Sequence, residues 1–108
     1  MNDIRLKKLE EMEKAQPQEP FVKFAIAREY VNSGHDMLAK PYLDWLLNNQ
    51  PAYLASYYHS GKLYERINDF REAKSIYRKG IELAKTTGDM KTAGELSEAL
   101  TIIEDEQE

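Results

Sequence analysis

The sequence predicts an all-α fold built as a helical repeat, and three observations lead there. Apolar residues recur at three- and four-residue spacing in every segment between turn signals, with no alternating stretch. Those turn signals cut the chain into about six pieces of helical length joined by short loops. A Gln-Pro pair also occurs twice, ending at Pro17 and at Pro51, and each pair precedes a new helical segment. The step from Pro17 to Pro51 falls in the thirties, and a fixed interval of that size with one helix pair per interval marks stacked helical repeats.

Each element follows from its own residues. "IRLKKLEEMEKA" places Leu9 and Met12 three apart and stops at Pro17. "PFVKFAIAREYVNSG" opens on Pro20, suited to a first helical turn, and ends at Gly34. "MLAKPYLDWLLNN" sets Leu43, Leu46 and Leu47 on one face; Pro41 inside it predicts a late or bent start rather than a break. "AYLASYYHSGKLYERIN" keeps the helical period through Tyr57, Leu63, Tyr64 and Ile67. "FREAKSIYRKGIELAKTT" continues it through Ala73, Ile76, Tyr77, Gly80 and Leu83, and Gly88 ends it. "DMKTAGELSEALTIIED" has Asp89 as its N-cap and a stripe of Ala93, Leu96, Leu100 and Ile103.

Composition narrows the function. At 108 residues the chain reads as a single domain with a modest core. A net charge of −4 argues against a protein that coats nucleic acid. The absence of cysteine excludes disulfides, thiolate catalysis and cysteine-ligated metals. "MNDIRLKKLEEMEK" alternates charge and does not read as a signal peptide, and no segment nears the roughly 20 apolar residues of a membrane span, so a cytoplasmic setting is expected. His35 beside Asp36 reads as a turn, and His59 has no acid or second histidine three or four residues on. With no Gly-rich phosphate loop and no Gly-x-Ser-x-Gly, no catalytic site, cofactor or metal is expected.

The motif Tyr57-x-x-Ser60-Gly61-x-x-Tyr64, followed by Ala73-x-x-x-Tyr77, resembles the tetratricopeptide repeat pattern W-x2-L-G-x2-Y…A-x3-F…P. Tyr replaces Trp and Phe, and Ser60 stands where Leu is usual. One interval earlier come Ile26-Ala27-x-x-Tyr30, Ala39-x-x-x-Leu43 and Pro51, with Lys23 in the place of the first aromatic. This register gives full repeats at 20–53 and 54–87 between an N-terminal cap helix at 2–15 and a C-terminal capping helix at 89–104. The resemblance implies about six antiparallel helices in a right-handed stack.

Proteins of that family generally bind extended peptides or helices in a concave groove lined by the first helix of each repeat. The resemblance thus implies a non-catalytic adaptor whose groove is lined by Phe21, Phe24, Arg28 and Asn32, then Tyr58, His59, Lys62 and Arg66. Arg28, Lys62 and Arg66 suggest a locally positive, aromatic-edged surface, and hence a protein or peptide partner with an acidic segment. Chaperone-binding members clamp a C-terminal carboxylate with Lys and Asn; Phe24, Arg28 and His59 stand at the matching places, so that clamp is absent. The resemblance turns Trp45 outward, across the N-terminal cap helix or as an anchor for a partner. The alternatives are self-association into a homo-oligomer through a cap or Trp45, and nucleic-acid binding, which the acidic balance opposes.

Overall fold

Prolines and left-handed turn residues set where the helices end. The computed structural model describes residues 3–106, and Asn2 of the expected first helix lies outside the described residues. Six helices are present: α1 (Asp3–Ala15), α2 (Pro20–Asn32), α3 (Asp36–Asn49), α4 (Ala55–Arg66), α5 (Phe70–Thr87) and α6 (Met90–Glu106). No strand occurs among the described residues. The helices cluster into two compact units, the first ending at Tyr53 and the second beginning at Leu54.

The turns repeat along with the helices. After α2, Gly34 takes φ 79°, and the His35 N–H reaches back to the Tyr30 carbonyl at 2.8 Å. After α4, Asn68 takes φ 63°, and Asp69 N–H reaches the Tyr64 carbonyl at the same 2.8 Å. A left-handed residue there lets the chain satisfy carbonyls that the helix end leaves open. Asn carries that conformation at modest cost, so the turn survives without glycine.

In the first unit, α2 packs against both α1 and α3. Leu6 and Leu9 of α1 join Val22, Ala25 and Ile26 of α2 in one cluster, with Tyr30 and Tyr42 against it. Met12, expected on that stripe, is exposed. Leu6 and Leu9, also three apart, are the pair turned inward. Polar contacts reinforce this thin apolar seam. Lys23 donates to Glu13 at 2.6 Å, and its ammonium lies 4.9 Å from the Trp45 ring centroid and 5.9 Å from that of Tyr42. A cation in the repeat's aromatic position thus finds its aromatic contacts on α3 and its counter-charge on α1. Trp45 is half-buried beneath Lys23.

Pro41 does not delay α3, which begins at Asp36 and runs through it. As the helix's sixth residue Pro41 forgoes one backbone bond, the one to the Met37 carbonyl. Burial of Ala39, Leu43 and Leu46 on the inner face outweighs that loss, since each fully buried Leu contributes roughly 1.5–3 kcal/mol.

In the second unit, α5 packs against both α4 and α6. Its buried face is Ala73, Ile76, Tyr77, Gly80 and Ala84, while Leu83 is half-buried. Two glycines let its neighbours approach. A Cβ on Gly61 would lie 2.6 Å from Cζ of Tyr77, and one on Gly80 would lie 2.7 Å from the Tyr57 Cβ and 2.9 Å from the Leu96 Cδ1. The Tyr77 hydroxyl donates to the Glu65 carboxylate. Burial first, and then that hydrogen bond, push the Tyr77 pKa well above the usual tyrosine range. Ala93, Leu96, Ala99 and Ile103 form the buried side of α6; Leu100, expected there, is half-buried. Asp89 caps α6 by accepting from the Thr92 N–H at 3.1 Å and the Thr92 hydroxyl at 2.8 Å, and these bonds lower its pKa.

Candidate protein-interaction faces

Each unit carries a cleft, and each is built on an aromatic residue followed four positions later by a cation. In the first unit Phe24 and Arg28 lie one turn apart on α2, with the guanidinium 6.0 Å from the ring centroid. Phe24 is buried, and Tyr53 meets it edge-on at 5.6 Å. Arg5, Phe21, Phe24, Ala25, Arg28, Glu29, Asn32 and Tyr53 enclose about 340 Å³. Arg5 pairs with Glu29 at 2.7 Å, while Arg28 has no ion pair among the described residues. The cleft therefore presents one uncompensated cation beside Phe21, which is 57% exposed. All four residues expected from α2 come together here.

In the second unit Tyr58 and Lys62 of α4 repeat the arrangement, with the ammonium 5.5 Å from the ring centroid. The rest of this cleft of about 190 Å³ is α6: Glu95, Glu98, Ala99 and Ile102. Glu65, one turn beyond Lys62 on α4, is 3.6 Å from its ammonium. Glu95 and Glu98 add two carboxylates with no ion pair among the described residues. His59 and Arg66 do not line this cleft; His59 meets the Tyr58 ring edge-on at 5.8 Å, and Arg66 is exposed at the end of α4.

Sequence reasoning missed Arg5, Tyr53, Glu95, Glu98 and Ile102. For the α6 residues a signal exists: 95, 98, 99 and 102 follow the three-and-four spacing of one helix face beside the apolar stripe. Tyr53 follows Pro51 in a loop, and no local pattern marks it. His35 precedes α3 with no side-chain cap bond, and its Nδ1 is 3.1 Å from the Ser33 hydroxyl. Among the described residues no group of three or more His, Asp and Glu could hold a metal ion, and no helix is long and apolar enough to cross a membrane.

The comparisons agree with this architecture. The tetratricopeptide repeat family model matches residues 54–87. A crystal structure of a tetratricopeptide repeat domain protein from Salinibacter ruber is 34% identical, with a TM-score of 0.78 over 81% of this chain and 97% of that one. A solution structure of a tetratricopeptide repeat domain protein from the same organism gives 34% identity and a TM-score of 0.78, covering 83% of this chain and 91% of that one. Cellulose synthase operon protein C of Pseudomonas fluorescens (strain SBW25) is 32% identical over 76 residues, covering 70% of this chain. This chain spans only 6% of that curated relative's length. With its helix pairs, its repeating register and a relative matched over nearly its full length, the chain belongs to the tetratricopeptide repeat family, whose repeats generally mediate contacts between proteins rather than catalysis.

Proposed function

We propose that this chain is a non-catalytic docking module, and that the α2 face of its first unit captures a partner segment carrying a carboxylate next to an apolar side chain. The observation that carries this reading is a single cleft lined by both exposed Phe21 and Arg28, the latter without an ion pair among the described residues. Phe21 and the Phe24–Tyr53 pair supply apolar surface, and Asn32 supplies amide donors and acceptors one turn beyond Arg28. Arg28 takes a carboxylate or a phosphate oxygen through its planar fork. Recognition of this kind depends on salt, because the partner's charge stays near solvent.

The test is a titration of the isotope-labelled chain with a capped acidic, leucine-containing peptide and with its lysine counterpart. The acidic peptide should shift the amides of Phe21, Arg28, Asn32 and Tyr53. Arg28→Glu should weaken it about tenfold, which corresponds to ~1.4 kcal/mol. Equal binding of both peptides at α2, or indifference to Arg28→Glu, defeats the assignment.

A further inference from the structure

The cleft between α4 and α6 has the opposite chemistry. Its apolar surface is Tyr58, 37% exposed, and Ile102, 46% exposed, with Ala99 between the polar groups. Glu95 and Glu98 stand one turn apart on α6, and neither has an ion pair among the described residues. The single lining cation, Lys62, has Glu65 at 3.6 Å and lies over the Tyr58 ring. Two carboxylates remain uncompensated against solvent-facing apolar surface. An incoming carboxylate would add a third like charge to this small space, whereas a single cation is attracted by both carboxylates at once.

We infer that this cleft binds a protein segment in which a lysine or arginine adjoins an apolar side chain. The apolar group covers Ile102 and the Tyr58 edge, and the cation bridges Glu95 and Glu98. Arginine suits the place better than lysine, because its fork donates to two carboxylates from one rigid plane. The inference goes beyond the α2 reading: it concerns the other unit, other residues and a partner of opposite sign.

The experiment titrates the isotope-labelled full chain with a capped peptide alternating leucine and arginine, and with its glutamate counterpart, at low and moderate salt. The arginine peptide should shift Tyr58, Glu95, Glu98 and Ile102, and binding should weaken as salt rises. In the double variant E95Q/E98Q, with an unchanged melting curve, its affinity should fall about fivefold or more, in keeping with two exposed charge contacts. Should that variant melt early, Ile102→Ser at an exposed position serves independently and should weaken binding through lost apolar contact. Arginine-peptide shifts absent from the cleft, affinity unchanged in both variants, or glutamate-peptide shifts at Glu95 and Glu98 would overturn the inference. A failure of the α2 reading looks different, since it leaves acidic peptides indifferent to Arg28→Glu while these α6 shifts persist.

Discussion

Aligned by the interval that separates Pro17 from Pro51, the two units can be compared side chain by side chain. Phe24 and Arg28 of the first correspond to Tyr58 and Lys62 of the second, and Ala39 corresponds to Ala73. Where the units differ, they differ in matched sets. The first places Ala27 and Leu43, both buried, where the second places Gly61 and Tyr77. A bulkier ring on one helix goes with a missing methyl on the other, so the summed volume at the crossing is roughly kept. The clefts diverge instead through residues outside the repeat motif: Arg5 and Tyr53 complete one, Glu95 and Glu98 the other. The comparison teaches that the motif maintains a helix crossing, while the elements packed beside it decide the charge of the face.

The largest expected effect comes from breaking a matched set. A methyl on Gly61 would sit 2.6 Å from Cζ of Tyr77, a fully buried ring held by Glu65, so the ring has nowhere to withdraw. Overpacking costs about 1–3 kcal/mol, against a gain of about 1 kcal/mol from replacing a mid-helix glycine with alanine. Gly61→Ala should therefore destabilise the protein when Tyr77 is present. In a Tyr77→Leu background, which copies the first unit's pairing, the same change should stabilise it by about 1 kcal/mol. Urea unfolding of the four proteins in this cycle reads the sign directly. If Gly61→Ala has the same sign in both backgrounds, the two units are not related by compensation.

This set also shows how much of the fold is legible in the sequence. Gly61, Ala73 and Tyr77 can be read because their roles are local to the motif, and Pro17, Gly34 and Gly88 mark the ends of their helices. The inward turn of Leu6 rather than Met12 is not legible, because either pair with Leu9 satisfies a helical period. Nor is the sign of the second cleft. Lys62 and Glu95 lie on different helices far apart in the chain, and only the packing of α4, α5 and α6 places them on one cleft. Arg28, by contrast, reads from sequence as an exposed cation because its nearest influences lie on its own helix.

A middle-sized effect lies at Ser60, whose counterpart is Ile26. Both are fully buried, yet the Ser60 hydroxyl finds no hydrogen-bond partner among the described residues. A buried, unsatisfied hydroxyl costs on the order of 1–3 kcal/mol. Ser60→Ala removes it, adds helix propensity and creates little empty space. A gain of about 1 kcal/mol in unfolding free energy is expected. A loss would mean that the hydroxyl is satisfied in solution, by a water or a rotated side chain, and that Ser60 is a working part of the second unit.

The smallest effect concerns the helix starts, where the units also part. Asp69 caps α5 by accepting from the Glu72 N–H at 3.2 Å, whereas His35, its counterpart in the first unit, makes no side-chain cap bond to α3. The backbone φ is similar at the two sites, −108° at His35 and −97° at Asp69, but the Leu38 N–H already donates to the His35 carbonyl at 3.1 Å, so an aspartate placed at 35 would share that donor as a second acceptor. Its charge also lies at the positive end of the α3 dipole. His35→Asp should therefore stabilise the protein by about 0.5 kcal/mol, the lower end of cap contributions, because the site is exposed. The sign with pH follows from the carboxylate. A cap bond depresses its pKa in the folded state, so the gain is present above the unfolded pKa and disappears as pH falls through the folded one. Urea midpoints of wild type and His35→Asp, compared at neutral and acidic pH, measure both parts. A gain that persisted at acidic pH would assign the effect to removal of the imidazole, and the first unit would owe its uncapped helix to something other than the missing carboxylate.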